Sequence, residues 1–235
     1  MTRLDLAPAA KRMAALVGGV SDNQLGGVTP CPAYTLGDLL DHVGGLSVAF
    51  TAAARKSEPP GGSQGPSGDA SRLEEGWRDR IARDLDALAG AWTEPQSWTG
   101  TAVAGGVEMP AAVAALVALD ELVVHGWDVA RASGQRYDVD PASLEAVHGF
   151  VAQFSGPGTE ESRAGLFGLV VPVTGTRGAS TPMAARPDTW STHVARIDVR
   201  RLVVPGTHIS GTTCAEPRTP SAVRPEPMRC SASSY

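Results

Sequence analysis

The residues best equipped for chemistry lie in the stretch Leu119-Asp120-Glu121-Leu122-Val123-Val124-His125-Gly126-Trp127-Asp128. Glu121 and His125 are spaced i, i+4, which on an α-helix stacks both side chains on one face, one turn apart. A carboxylate and an imidazole so placed can share a metal ion, since zinc takes nitrogen and oxygen ligands at about 2.0–2.2 Å. They can equally form a hydrogen-bonded pair in a helical core, and the E-x-x-x-H pattern alone does not choose between the two. Asp128 follows on nearly the same face. It is placed either to orient a ligand histidine, as carboxylates commonly do, or to contact a backbone or an arginine at the edge of a bundle. Leu119, Leu122, Val123, Val124 and Trp127 make the helix apolar nearly all round. That predicts burial, and a buried Glu and His need partners. His42 lies beside the apolar face of another predicted helix, where a lone histidine is ordinarily structural. His148 has no carboxylate at helical spacing on an inner face and reads as an ordinary surface or core residue.

The elements that would carry these residues are helices. Apolar residues at helical spacing predict a first helix over residues 4–17, ending at Gly18-Gly19. Residues 21–24 read as a short helical turn or a loop, and the prolines at 30 and 32 require an extended segment. A second helix over residues 35–56 opens at Thr35, with Asp38 three positions on as a variant of the capping box. Its Gly44-Gly45 pair weakens it by about 1 kcal/mol per glycine, which close approach of another helix or of a ligand would justify. Residues 58–70 (EPPGGSQGPSGDA) read as a flexible loop. Leu73, Trp77, Ile81, Leu85, Leu88 and Trp92 predict a third helix over residues 71–92, with Glu74, Glu75, Arg78, Asp79, Arg80 and Arg83 on its solvated side. Residues 93–110 read as a loop, extended briefly at 107–109. A fourth helix runs from Pro110 to about residue 133, and a fifth over 141–154 has Asp140 as its N-cap. Long amphipathic helices without strong strands predict an all-α helical bundle.

Composition narrows the class of function. The chain of 235 residues is long enough for one domain with a sizeable core, and 42% of it is hydrophobic. A net charge of −5 argues against a nucleic-acid binder, which needs a basic surface. Cys31, Cys214 and Cys230 are scattered and odd in number. That is neither a disulfide framework nor a zinc–thiolate site, and a reducing cytoplasm fits it best. Cys31, beside two prolines, reads as a small packing residue. Lys11 and Arg12 break the N-terminal apolar stretch, which reads as an amphipathic helix rather than a signal peptide. No apolar run approaches the roughly 20 residues of a membrane span. Beyond the apolar segment at 165–173 the composition changes. Residues 173–235 hold 8 Lys/Arg against 4 Asp/Glu, with many Pro, Ser and Thr. The predicted organisation is a helical domain over residues 1–173 and a disordered tail over 174–235. A shifted reading frame in the source gene and a true disordered extension would each produce such a tail.

Three stretches together resemble one known family: Thr29-Pro30-Cys31-Pro32-Ala33-Tyr34-Thr35-Leu36-Gly37-Asp38-Leu39-Leu40-Asp41-His42, the helix from Leu119 to Ala130, and Gly165-Leu166-Phe167-Gly168 with Val171-Pro172-Val173. The chain is similar, over residues 4–173, to the mycothiol-dependent maleylpyruvate isomerase N-terminal domain, within the DinB/YfiT-like superfamily of four-helix bundles. The resemblance implies a divalent metal, zinc first among the expectations, held by His42, Glu121 and His125. Asp128 stays open between orienting a ligand histidine and contacting a backbone or an arginine at the bundle's edge. Three protein ligands leave an open position, as in catalytic zinc sites. The resemblance further implies a low-molecular-weight thiol, mycothiol, as co-substrate, with the metal favouring its thiolate for attack on an electrophile. The tail does not resemble the second domain of the isomerase itself, so thiol transfer and isomerisation stand side by side. The expected partners are a small-molecule thiol and an electrophilic substrate, with no nucleic acid and no membrane, and a homodimer is left open. A non-catalytic metal- or thiol-binding stress-response protein is the alternative. No catalytic or cofactor-binding residue beyond the three ligands is assigned.

Overall fold

Local chemistry sets the helix boundaries. The computed structural model describes residues 4–31, 34–59, 61–62, 65–154 and 159. Helix α1 spans Ala7–Gly18, and Asp5 accepts a hydrogen bond from the Ala7 backbone N–H at 2.9 Å just ahead of it. A 3-10 turn at Asp22–Gln24 follows, then α2 over Leu36–Arg55. The capping box forms as expected. Asp38 accepts from the Thr35 N–H at 3.0 Å, and Thr35 Oγ1 accepts from the Asp38 N–H at 3.2 Å.

The third helix is shorter than its apolar stripe predicts. Asp69 accepts from the Ser71 N–H at 2.9 Å and organises a separate 3-10 turn at Ala70–Arg72. Gly76 then takes a positive φ of 77°, and α3 covers only Trp77–Ala91. Arg78, expected to be merely solvated, donates to the Val20 carbonyl at 2.8 and 2.6 Å and pairs with Asp22 at 2.6 Å, tying the start of α3 to the α1–α2 connection.

Residues expected to form a loop hold a hairpin, β1 over Thr101–Ala104 and β2 over Val107–Pro110, paired antiparallel with Ala104 opposite Val107. Its turn is Gly105-Gly106 with φ of 58° and 78°, the positive values that a tight two-residue hairpin turn demands. Helix α4 then runs over Ala111–Ser133 with Pro110 as its N-cap residue. Helix α5 covers Pro141–Ala152, capped by Asp140 accepting from the Ser143 N–H at 2.9 Å. It ends two residues short of the predicted end. The apolar segment at 165–173, the tail at 174–235 and the boundary between them lie outside the described residues.

Packing joins the helices in pairs. Helix α2 lies against α3 and α4, α1 lies against α3 and α4, and α5 packs on α4. Met13, Leu16 and Val17 of α1, Leu39 and Leu40 of α2, Ile81 and Leu85 of α3, and Leu119 and Val123 of α4 fill the interior with almost no exposure. Each such aliphatic side chain contributes about 1.5–3 kcal/mol on burial. The α2–α4 contact brings the His42 side of one helix to the Glu121 side of the other. Among the described residues, no helix is long and apolar enough to cross a membrane.

Candidate metal centre

Helix α4 delivers its pair as the spacing requires. His125 Nε2 lies 2.9 Å from Glu121 Oε2, and His125 Nδ1 lies 3.3 Å from Asp128 Oδ2, with all three residues buried. One imidazole is thus gripped at both nitrogens by carboxylates of its own helix. Burial pulls the His125 pKa down. The hydrogen bonds with Asp128 and Glu121 oppose burial and win, so the ring titrates well above its ordinary value. The buried pair of carboxylates therefore demands positive charge at His125, and a proton meets that demand when nothing else does.

Helix α2 supplies His42 from the other side. Its ring meets the His125 ring edge-on, with centroids 5.3 Å apart and an interplanar angle of 82°. His42 Nδ1 donates to the Pro66 carbonyl at 2.7 Å, which leaves the Nε2 lone pair as the ring's available donor to an ion. Burial first, and the neighbouring His125 second, lower the His42 pKa from 6.5 to about 4. The two histidines are therefore pushed in opposite directions, His125 toward its cationic form and His42 toward its neutral one.

Ligand atoms of His42, Glu121 and His125 all lie within 4.8 Å of one another. Two donors each about 2.0–2.2 Å from one ion are at most about 4.4 Å apart, and closer in a tetrahedral site. A contraction on the order of 1 Å closes the gap between α2 and α4. The donor chemistry also fits. Each histidine has Nδ1 engaged by an oxygen, which leaves Nε2 to bind an ion, the arrangement in which outer partners fix ring orientation for a metal. Asp128 sits where the expected orienting carboxylate belongs. His148 is exposed on α5 and outside the cluster.

Several further residues surround the cluster. The Tyr34 ring lies 5.3 Å from that of His42, and its hydroxyl accepts from the Gly68 N–H at 3.3 Å. Burial raises the Tyr34 pKa. Asp41, next to His42, is buried and pairs with Arg72 at 2.6 Å. Asp120, next to Glu121, is fully buried with no hydrogen-bond partner for either carboxyl oxygen among the described residues. Burial, reinforced by Glu121, pushes its pKa well above the usual carboxylate range. Cys31 is buried, as a packing role requires. Only the Asp38-x-x-Asp41 spacing carried a signal, since two carboxylates one turn apart at a helix start can anchor a loop.

The model of the family described as mycothiol maleylpyruvate isomerase N-terminal domain matches residues 6–130. The chain belongs to that family. The match runs from α1 through the site-bearing part of α4, so all three clustered residues lie inside it, and the helical fold is consistent with the DinB-like superfamily. Two relatives, uncharacterized proteins of Mycobacterium tuberculosis from strains CDC 1551 and H37Rv, are each 34% identical over 151 residues, covering 62% of this chain and 77% of their own. No solved structure matches the chain.

Proposed function

We propose that the protein binds one divalent metal ion, zinc first, through His42, Glu121 and His125, and that it uses this centre in a cytoplasmic reaction between mycothiol and an electrophilic small molecule. The observation that carries the proposal is the convergence of two imidazoles and one carboxylate from α2 and α4, with ligand atoms within 4.8 Å and each histidine's other nitrogen already engaged. Family membership supports the thiol as mycothiol.

With three protein ligands, such an ion supplies Lewis acidity at an open position, where it favours the thiolate form of a bound thiol at neutral pH. The chain's own residues prepare that position. Neutral His42 offers a lone pair without first losing a proton. Glu121 brings the negative charge that makes a cation welcome in a buried site. Asp128 holds His125 Nδ1 so that Nε2 is the nitrogen offered. Overall, either the thiol S–H and a carbon–leaving-group bond give an S–C bond and the protonated leaving group, or S–H adds across a polarised double bond. An isomerase would follow such an addition by elimination that returns the thiol.

Conjugation of mycothiol to a panel of electrophiles, followed by mass spectrometry with and without chelator, tests the proposal. Chelator-sensitive conjugation abolished in Glu121→Ala supports it. Metal binding without conjugation of any electrophile would instead favour a non-catalytic metal- or thiol-binding role.

A further inference from the structure

Residues 65–72 lie across the N-terminal half of α2 as a strap. Asp38 Oδ1 accepts the Ala70 N–H at 2.8 Å, and Asp41 Oδ2 accepts the Asp69 N–H at 3.1 Å. Arg72 donates to the same Asp41 oxygen through two nitrogens, at 2.9 and 2.6 Å, and also to the Ser67 carbonyl. Tyr34 holds Gly68 through its hydroxyl. Between these anchors, Pro66 presents the carbonyl that takes the His42 Nδ1 hydrogen.

Two glycines let the strap come this close. A Cβ on Gly45 of α2 would collide with the Pro66 ring, and a Cβ on Gly68 would collide with the Asp38 carbonyl oxygen. Gly45 weakens α2, since glycine is a poor helix former. What stands in the space of its missing side chain is the residue that bonds His42. A hydrogen bond to Nδ1 fixes which nitrogen keeps its lone pair and how the ring is turned.

We infer that the strap is a positioning device: Pro66, anchored by the Asp41–Arg72 pair and seated on Gly45, sets the tautomer and rotation of His42 so that Nε2 is offered to the Glu121–His125 pair. Its consequence for metal affinity rests on the metal reading above, whereas its effect on the ring does not. Arg72 and Gly45 are then positioning residues that touch neither metal nor substrate.

Gly45→Ala separates this from a merely structural role. Alanine is the better helix former by about 1 kcal/mol, which offsets part of the cost of displacing Pro66, so the metal-free variant should still unfold in urea as a cooperatively folded protein. Nitrogen-15 NMR of the metal-free wild type should show His42 as the Nδ1–H tautomer, and the variant should show a mixture. Zinc affinity should fall about 10–100-fold, as it does when outer partners of metal ligands are lost. Gly68→Ala displaces the strap from its own side and should act alike, which covers the case of one variant failing to fold. Gly90→Ala on α3, where a Cβ meets nothing within 4 Å, should move neither readout. An unchanged His42 tautomer in both strap variants overturns the inference, and so does a shifted tautomer with unchanged zinc affinity. If wild type binds no zinc, the metal reading fails by itself and the tautomer measurement still decides whether the strap sets the ring.

Discussion

Replacing Glu121 by Gln keeps the side chain's size and removes the one anionic donor of the candidate centre. Two effects follow, and they separate cleanly. In the metal-free protein, Glu121 Oε2 accepts from His125 at 2.9 Å in a buried setting. A hydrogen bond to a charged group is worth about 1.5–3 kcal/mol, so the metal-free variant should melt earlier by about 3–12 °C for a chain of this size. The second effect is the increment that metal adds. At a zinc concentration of about 100 Kd, binding stabilises the wild type by about 2.7 kcal/mol, or about 5–11 °C. Loss of a ligand weakens binding at least as much as the roughly 100-fold that loss of an outer partner can cause. The variant at the same zinc concentration should therefore gain only about 0.4 kcal/mol, a shift of about 1–2 °C. The assay is a melt of each protein by circular dichroism, with chelator and with zinc, and the quantity compared is the difference within each protein. An equal zinc increment in wild type and Glu121→Gln would refute the reasoning whatever the baselines do.

Other outcomes follow from the same geometry. His42 titrates near 4 when folded and near its ordinary 6.5 when unfolded, so the unfolded state binds more protons between those values. Its contribution is present above pH 6.5 and lost as pH falls toward about 4. His125 has the opposite sign: its raised pKa stabilises the fold below its unfolded value, and that contribution fades as pH rises through the folded one. Melting temperatures of metal-free wild type and His42→Gln across this range should therefore diverge, with the shallower acid slope in the variant, and superimposable profiles would contradict the half-buried neutral ring. Zinc binding near neutral pH should release about one proton, the one on His125. Calorimetry in buffers of different ionisation enthalpy reads that number, and a value near zero would mean that His125 is not displaced from its proton. Thr35→Ala should cost about 1 kcal/mol through loss of the α2 cap, seen as a lower urea midpoint with zinc affinity retained.

Features set by neighbours along one helix were legible in the sequence. The Glu121–His125–Asp128 face of α4, the Thr35–Asp38 capping box and the Asp140 cap all depend on residues within a turn of one another, where helical periodicity is a physical rule. The hairpin leaves only a partial trace: Gly105-Gly106 between two short runs is a turn signal, but alanines at 102 and 104 make a weak strand pattern. The stretch ahead of α3 misleads because Leu73 keeps the apolar register while Gly76 and the Asp69-capped turn break the backbone. Contacts across the fold left no periodic trace. His42 with Pro66 and Asp41 with Arg72 join residues from separate elements, and only family resemblance linked His42 to the α4 pair. Asp120 shows the same limit: its apolar neighbours predict burial, but nothing in them shows that both its carboxyl oxygens lack a hydrogen-bond partner among the described residues.

Whether His42, Glu121 and His125 hold an ion together is decided most directly by metal content. Wild type, His42→Ala, Glu121→Ala and His148→Ala are purified identically, equilibrated with zinc, freed of excess and analysed for metal per chain. Wild type and His148→Ala should hold close to one ion and the other two almost none. Equal content in wild type, His42→Ala and Glu121→Ala would contradict a shared site, and the cluster would then be a hydrogen-bonded Glu–His pair in a helical core.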